Sequence, residues 1–124
     1  MVSPSQAKYL EVLAYTFLQN GKYERALIVF LTLKRLLGDK PKILLARAYA
    51  YLQLNAYEAV YEEAQLADQL TSDLALKNLA RILQSKALWH MGKPEQAWQI
   101  LMNFLEHKQR THSEPLAYQP SSFN

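Results

Sequence analysis

The sequence predicts an all-α fold made of three tandem helical hairpins, and two observations carry the prediction. The first is a recurring turn phrase. Asn20-Gly21-Lys22-Tyr23-Glu24-Arg25-Ala26 is echoed by Asn55-Ala56-Tyr57-Glu58-Ala59 and again by Gly92-Lys93-Pro94-Glu95-Gln96-Ala97. The step is 34 residues from Gly21 to Asn55 and 37 from Asn55 to Gly92. The second is that apolar residues between the phrases recur at three- and four-residue steps, the period of one face of an α-helix. A Gly that breaks one such helix, with Tyr23, Ala26 and Phe30 following at set distances, is how the turn and second helix of a hairpin repeat look.

The elements follow in order. Ser3-Pro4-Ser5-Gln6 starts a helix: Ser3 can cap it, Pro4 has its φ pre-set, and Gln6 stands three after the cap as in a capping box. The first helix runs to about Asn20, with Leu10, Leu13, Ala14 and Phe17 on one face. The second, from Tyr23 to Leu37, turns Ala26, Leu27, Phe30 and Leu33 inward, and Gly38-Asp39-Lys40-Pro41 separates it from the third. Leu44, Ala48 and Tyr51 of the third, Pro41 to Leu54, repeat Leu10, Ala14 and Phe17. The fourth, Tyr57 to Leu70, has Ala59, Ala64 and Ala67 inward and Glu58, Glu62 and Glu63 on the outer, solvated face. Thr71-Ser72-Asp73 caps the fifth, which reaches Met91 and takes up the three surplus residues as a turn near Leu74 to Leu76. The sixth, Pro94 to Gln109, turns Ala97, Leu101 and Phe104 inward. This gives a folded domain over residues 1–110 and a flexible, proline-containing tail over 111–124, which holds Pro115 and Pro120.

About 34 residues is the length of a tetratricopeptide unit. Three such units stack into a short superhelix whose concave groove is lined mainly by the first helix of each. With the turns aligned on Gly21, Asn55 and Gly92, the groove positions are Lys8, Glu11, Tyr15, Leu18 and Gln19, then Lys42, Leu45, Tyr49, Leu52 and Gln53, then Leu79, Ile82, Lys86, Trp89 and His90. Each of these is groove or core, depending on a helix register that sequence alone fixes to within a residue or two. As a set they expose more apolar surface than a protein without a partner carries. The partner-binding residues expected from this are Lys8, Tyr15, Leu18, Lys42, Leu45, Tyr49, Leu52, Ile82, Lys86 and Trp89.

Composition narrows the function classes. At 124 residues the chain is one domain by size. It has no cysteine, which excludes disulfides, Cys-ligated zinc and thiol chemistry. Its charge of +3, from 14 basic and 11 acidic residues, is too small and too dispersed for a nucleic-acid surface. No apolar run approaches the roughly 18 residues that suggest a membrane span, and Met1 to Ser5 lacks the features of a signal peptide. His90, His107 and His112 are the only histidines, none in a His-x-x-x-His or Glu-x-x-His pair, and the three glycines form no phosphate-cradling loop. A non-enzymatic protein without metal or cofactor is expected.

Several features resemble the small tetratricopeptide chaperones of bacterial type III secretion, in particular the SctY (YscY) type. They are the turn phrases, the Gln6 to Leu18 pattern, Tyr61-Glu62-Glu63-Ala64-Gln65, Gly92 with Ala97, and Leu105-Glu106 leading to His112-Ser113-Glu114-Pro115. The likeness covers residues 3 to 115. It implies a cytoplasmic chaperone, at the secretion apparatus on the inner membrane or free of it. Such a protein holds a small exported component (SctX-like) in a heterodimer or larger complex before export. Tyr15, Tyr49 and Trp89 would then be anchors, and Lys8, Lys42 and Lys86 would meet acidic or carbonyl groups of the partner. Chaperoning of a needle or translocator subunit, or a generic tetratricopeptide adaptor, are the alternatives. An adaptor that grips a terminal carboxylate is disfavoured, because Tyr15 and Tyr49 stand in the column that should hold Asn. A homodimer without the partner, one copy's Leu116 and Tyr118 entering a neighbour's groove, is a further possibility.

Overall fold

The computed structural model describes residues 3–116, with side chains described for 3–105. These residues form six helices and no strand: α1 (Pro4–Gln19), α2 (Tyr23–Leu37), α3 (Pro41–Gln53), α4 (Tyr57–Leu70), α5 (Leu74–His90) and α6 (Pro94–Leu116). The protein is all-α, as its periodicity predicts.

Local chemistry sets the ends. The Ser3 hydroxyl accepts from the Gln6 backbone N–H at 3.2 Å, while the Ser3 N–H donates to Gln6 Oε1 at 2.9 Å, closing the capping box. Asp73 caps α5 by accepting from the N–H groups of Ala75 and Leu76. The three turn phrases are built alike. Lys22, Ala56 and Lys93 donate to the carbonyls of Phe17, Tyr51 and Leu88 at 2.8–2.9 Å, and Gly21, Asn55 and Gly92 to those of Leu18, Leu52 and Trp89. That pair of bonds is a Schellman ending, which places the residue after the cap at positive φ. Gly21 and Gly92 meet the requirement at φ 73 and 78, and Asn55 meets it at φ 60.

Each helix packs on the next, and α3 also packs on α5. One core cluster joins Ala14 of α1 and Ala26, Phe30 and Leu33 of α2 to Ile43 and Ala46 of α3. The other joins Leu44, Leu45 and Ala48 of α3 to Val60, Ala64 and Ala67 of α4 and Ala80, Leu83 and Ala87 of α5. Seven residues of α3 are buried, so this helix belongs to both cores.

Three expectations need correction. Glu63 is not on an outer face: it is buried at 8% exposure, opposite Arg47 at 7%. Arg47 Nε donates to Glu63 Oε1 at 2.5 Å, Arg47 also bonds the Tyr51 hydroxyl at 3.3 Å, and Lys34 lies 3.9 Å from the other carboxylate oxygen. A carboxylate enters a core when its charge is matched there. In α4 it is Val60, not Ala59, that is fully buried, a register difference of one residue. Finally, α6 continues past Arg110 to Leu116, because residues 110–114 contain no Gly or Pro to stop it. The remainder of the expected tail, 117–124 with Tyr118, lies outside the described residues, as do the side chains of His107, His112 and Leu116.

Candidate partner-binding groove

Helices α1, α3 and α5 together line an apolar cavity of about 310 Å³. α1 contributes Tyr15 and Leu18, α3 contributes Lys42, Leu45, Ala46 and Tyr49, and α5 contributes Leu76, Leu79 and Leu83. The core holds the walls in place. Tyr15 meets the fully buried Phe30 edge-to-face, with ring centroids 5.1 Å apart, and Tyr49 meets Tyr23 at 6.4 Å in the same manner. Tyr49 is 42% exposed while Leu45 beneath it is 3% exposed, so the floor is core and the rim is open to water.

Electrostatically the groove is nearly blank. Lys42 is its one charged lining residue, exposed and, among the described residues, in no ion pair. Burial, with a contribution from the Glu11 carboxylate, pushes the Tyr15 phenol above its usual 10.0, which keeps it neutral and able to donate a hydrogen bond. A site that orients a small metabolite carries several convergent polar groups. This one offers apolar area with a cation at one edge, which suits side chains of another polypeptide.

Of the ten residues expected at a partner site, five converge here: Tyr15, Leu18, Lys42, Leu45 and Tyr49. The other five do not line the cavity. Lys8 and Lys86 are exposed, Leu52 is half-buried against the second core, Ile82 is 39% exposed and Trp89 is 65% exposed. The reason lies in the third unit. Counting 34 residues from Lys42, Leu45 and Tyr49 gives Leu76, Leu79 and Leu83, which do line the groove; alignment on Gly92 gives Leu79, Ile82 and Lys86. The groove keeps the 34-residue step and the turn takes the 37-residue step. The three surplus residues therefore lie between Leu83 and Gly92, not near Leu74 to Leu76. Leu76 and Leu83 were missed for this reason, and the constant step between the first two turns was the signal that could have found them.

His90, expected at the groove, instead stacks on Tyr57 with ring centroids 4.4 Å apart and planes 4° from parallel. Tyr57 also lines a wider, open depression of about 580 Å³ with Asn55, Glu58, Glu62 and Met91. Among the described residues no three His, Asp or Glu side chains are grouped to hold a metal ion, and no helix is long and apolar enough to cross a membrane.

A search of protein-family models and of curated protein sequences finds no match to the chain.

Proposed function

We propose that the chain is a small tetratricopeptide-type binding protein, not an enzyme, that holds another polypeptide in the groove of α1, α3 and α5. The observation that carries the reading is the groove itself: nine residues from three helices, all apolar but Lys42, around about 310 Å³. The like-built turns at Gly21, Asn55 and Gly92 support the repeat assignment. Combined with the resemblance of residues 3 to 115 to SctY-type proteins, the specific proposal is a cytoplasmic chaperone of a small exported component of type III secretion. Apolar side chains of the partner fill the groove, and Lys42 meets a carboxylate or carbonyl at its edge.

Co-expression with the neighbouring reading frames, followed by affinity capture and mass spectrometry, tests this. Recovery of one small exported protein supports the chaperone reading. Recovery of a needle or translocator subunit moves it to another branch, and recovery of no partner removes it. With a partner in hand, Tyr49→Ala and Leu79→Ala should each weaken binding by about 2 kcal/mol, the scale of an interface anchor. Trp89→Ala, outside the groove, should change it by less than about 0.5 kcal/mol, as for a peripheral contact. Calorimetry that ranks Trp89 above Tyr49 would place the partner on another surface.

A further inference from the structure

We propose that α6 is a self-association seam through which two copies of the chain pair antiparallel, by way of Trp98, Leu101, Met102 and Leu105. This surface is separate from the groove, which α1, α3 and α5 line without α6. The inward face of α6 is fixed by Ala97, 3% exposed, whose carbonyl accepts from the Ser85 hydroxyl of α5 at 3.0 Å. Beside that face runs a second apolar stripe that nothing covers. Trp98 is 60% exposed and Leu105, seven residues on, is 40% exposed, with Leu101 and Met102 half-buried between them. Seven-residue spacing with an apolar pair in the middle is the pattern by which one helix seats against another. The outermost helix of a stack of hairpins needs a polar outer face if it is to end in water; here it presents a tryptophan.

The occupant follows from charge and register. An antiparallel pairing centred between Leu101 and Met102 sets Trp98 against Leu105 of the second copy and Leu101 against its Met102. In the same register Glu95 falls opposite Lys108 of the second copy. Two-fold symmetry makes every one of these pairs occur twice, so a single stripe supplies both halves of a closed interface. A parallel pairing would set Glu95 against Glu95 and gain no matching charge. The sequence of α6 is thus complementary to itself in one orientation.

Sedimentation of the full chain over about a hundredfold concentration range tests the seam, with mass rising from 14.3 kDa toward twice that value. Trp98→Glu and, separately, Leu105→Glu should each hold the mass at that of one chain with unchanged far-ultraviolet circular dichroism. Glu95→Lys and Lys108→Glu should each weaken the dimer about threefold or more, and the two together should restore it. A wild-type chain that stays monomeric throughout overturns the proposal and leaves the stripe to a different protein. So does a dimer indifferent to both glutamate substitutions. A dimer that loses affinity with each charge reversal but is not rescued by the pair overturns the antiparallel register.

Discussion

At the scale of single residues, the buried pair of Arg47 and Glu63 governs what the middle of the molecule tolerates. The two side chains stand on neighbouring helices, and Lys34 and the Tyr51 hydroxyl complete their surroundings. Removing one partner strands the other charge in a core, so Glu63→Ala should cost about 3 kcal/mol in urea denaturation. Arg47→Met with Glu63→Leu should recover most of that, since a matched apolar pair loses no stranded charge. Sequence reading placed Glu63 outside because an acidic residue in an amphipathic helix faces water by default. Two clues were there to be read: Arg47 stands in a nearly unbroken apolar run, and Glu63 immediately precedes the core residue Ala64. Tyr15 gives a second residue-scale prediction. Its phenol has a raised pKa when folded, so the unfolded chain ionises first as pH passes the usual value. Its contribution is therefore intact below about pH 10 and lost as pH rises toward the folded value. In alkaline denaturation Tyr15→Phe should make that loss of stability shallower, and an unchanged slope would mean that the phenol is equally ionisable in both states.

Among the elements, the helices were legible nearly to their ends, because each end carries its own chemistry: Ser3 and Asp73 as caps, prolines at the starts of α1, α3 and α6, and positive-φ residues after α1, α3 and α5. The end of α6 was not legible, because nothing before Pro115 stops a helix and lack of apolar periodicity does not prevent one. The groove was half legible. Its α1 and α3 walls came from the repeat, while its α5 wall was displaced by one turn because the surplus residues fall after Leu83 rather than before it. Asn55 shows how a turn can keep its geometry without glycine. It holds φ 60 where the other two turns use Gly, and its side-chain oxygen accepts from the Tyr57 hydroxyl at 2.9 Å. Asn is among the few residues that tolerate that region, whereas a β-branched side chain pays about 1–2 kcal/mol there. Asn55→Val should therefore lower stability by about 1 kcal/mol or more, and Asn55→Gly by less. Equal effects in thermal denaturation would show that the hydrogen bond to Tyr57, rather than the backbone, is what Asn55 supplies.

For the molecule as a whole, the decisive feature is that α3 is shared. Its Ile43 and Ala46 close the core of α1 and α2, while its Leu44, Leu45 and Ala48 close the core of α4 and α5. Stacked hairpins have stabilities that are sums of unit and interface terms, and they unfold as one only while the interfaces are strong. The α2–α3 boundary is the place where this molecule can divide, and the Ile43 side chain, 5% exposed, seals it. Ile43→Ala removes buried volume from that boundary alone and should cost about 2–5 kcal/mol there. Amide hydrogen exchange should then show α1 and α2 losing protection first, while α4 and α5 keep theirs. Val60→Ala, made in the other core and well away from that boundary, should lower protection in α4 and α5 without separating α1 and α2 from α3. If Ile43→Ala instead lowers protection evenly across all the helices, the two cores form one cooperative unit. The groove, which draws Tyr15 and Leu18 from one side of the boundary and Leu79 and Leu83 from the other, would then be rigid before a partner arrives. If the halves separate, filling the groove should restore the protection of α1 and α2, because a ligand that touches both sides stabilises their contact by mass action.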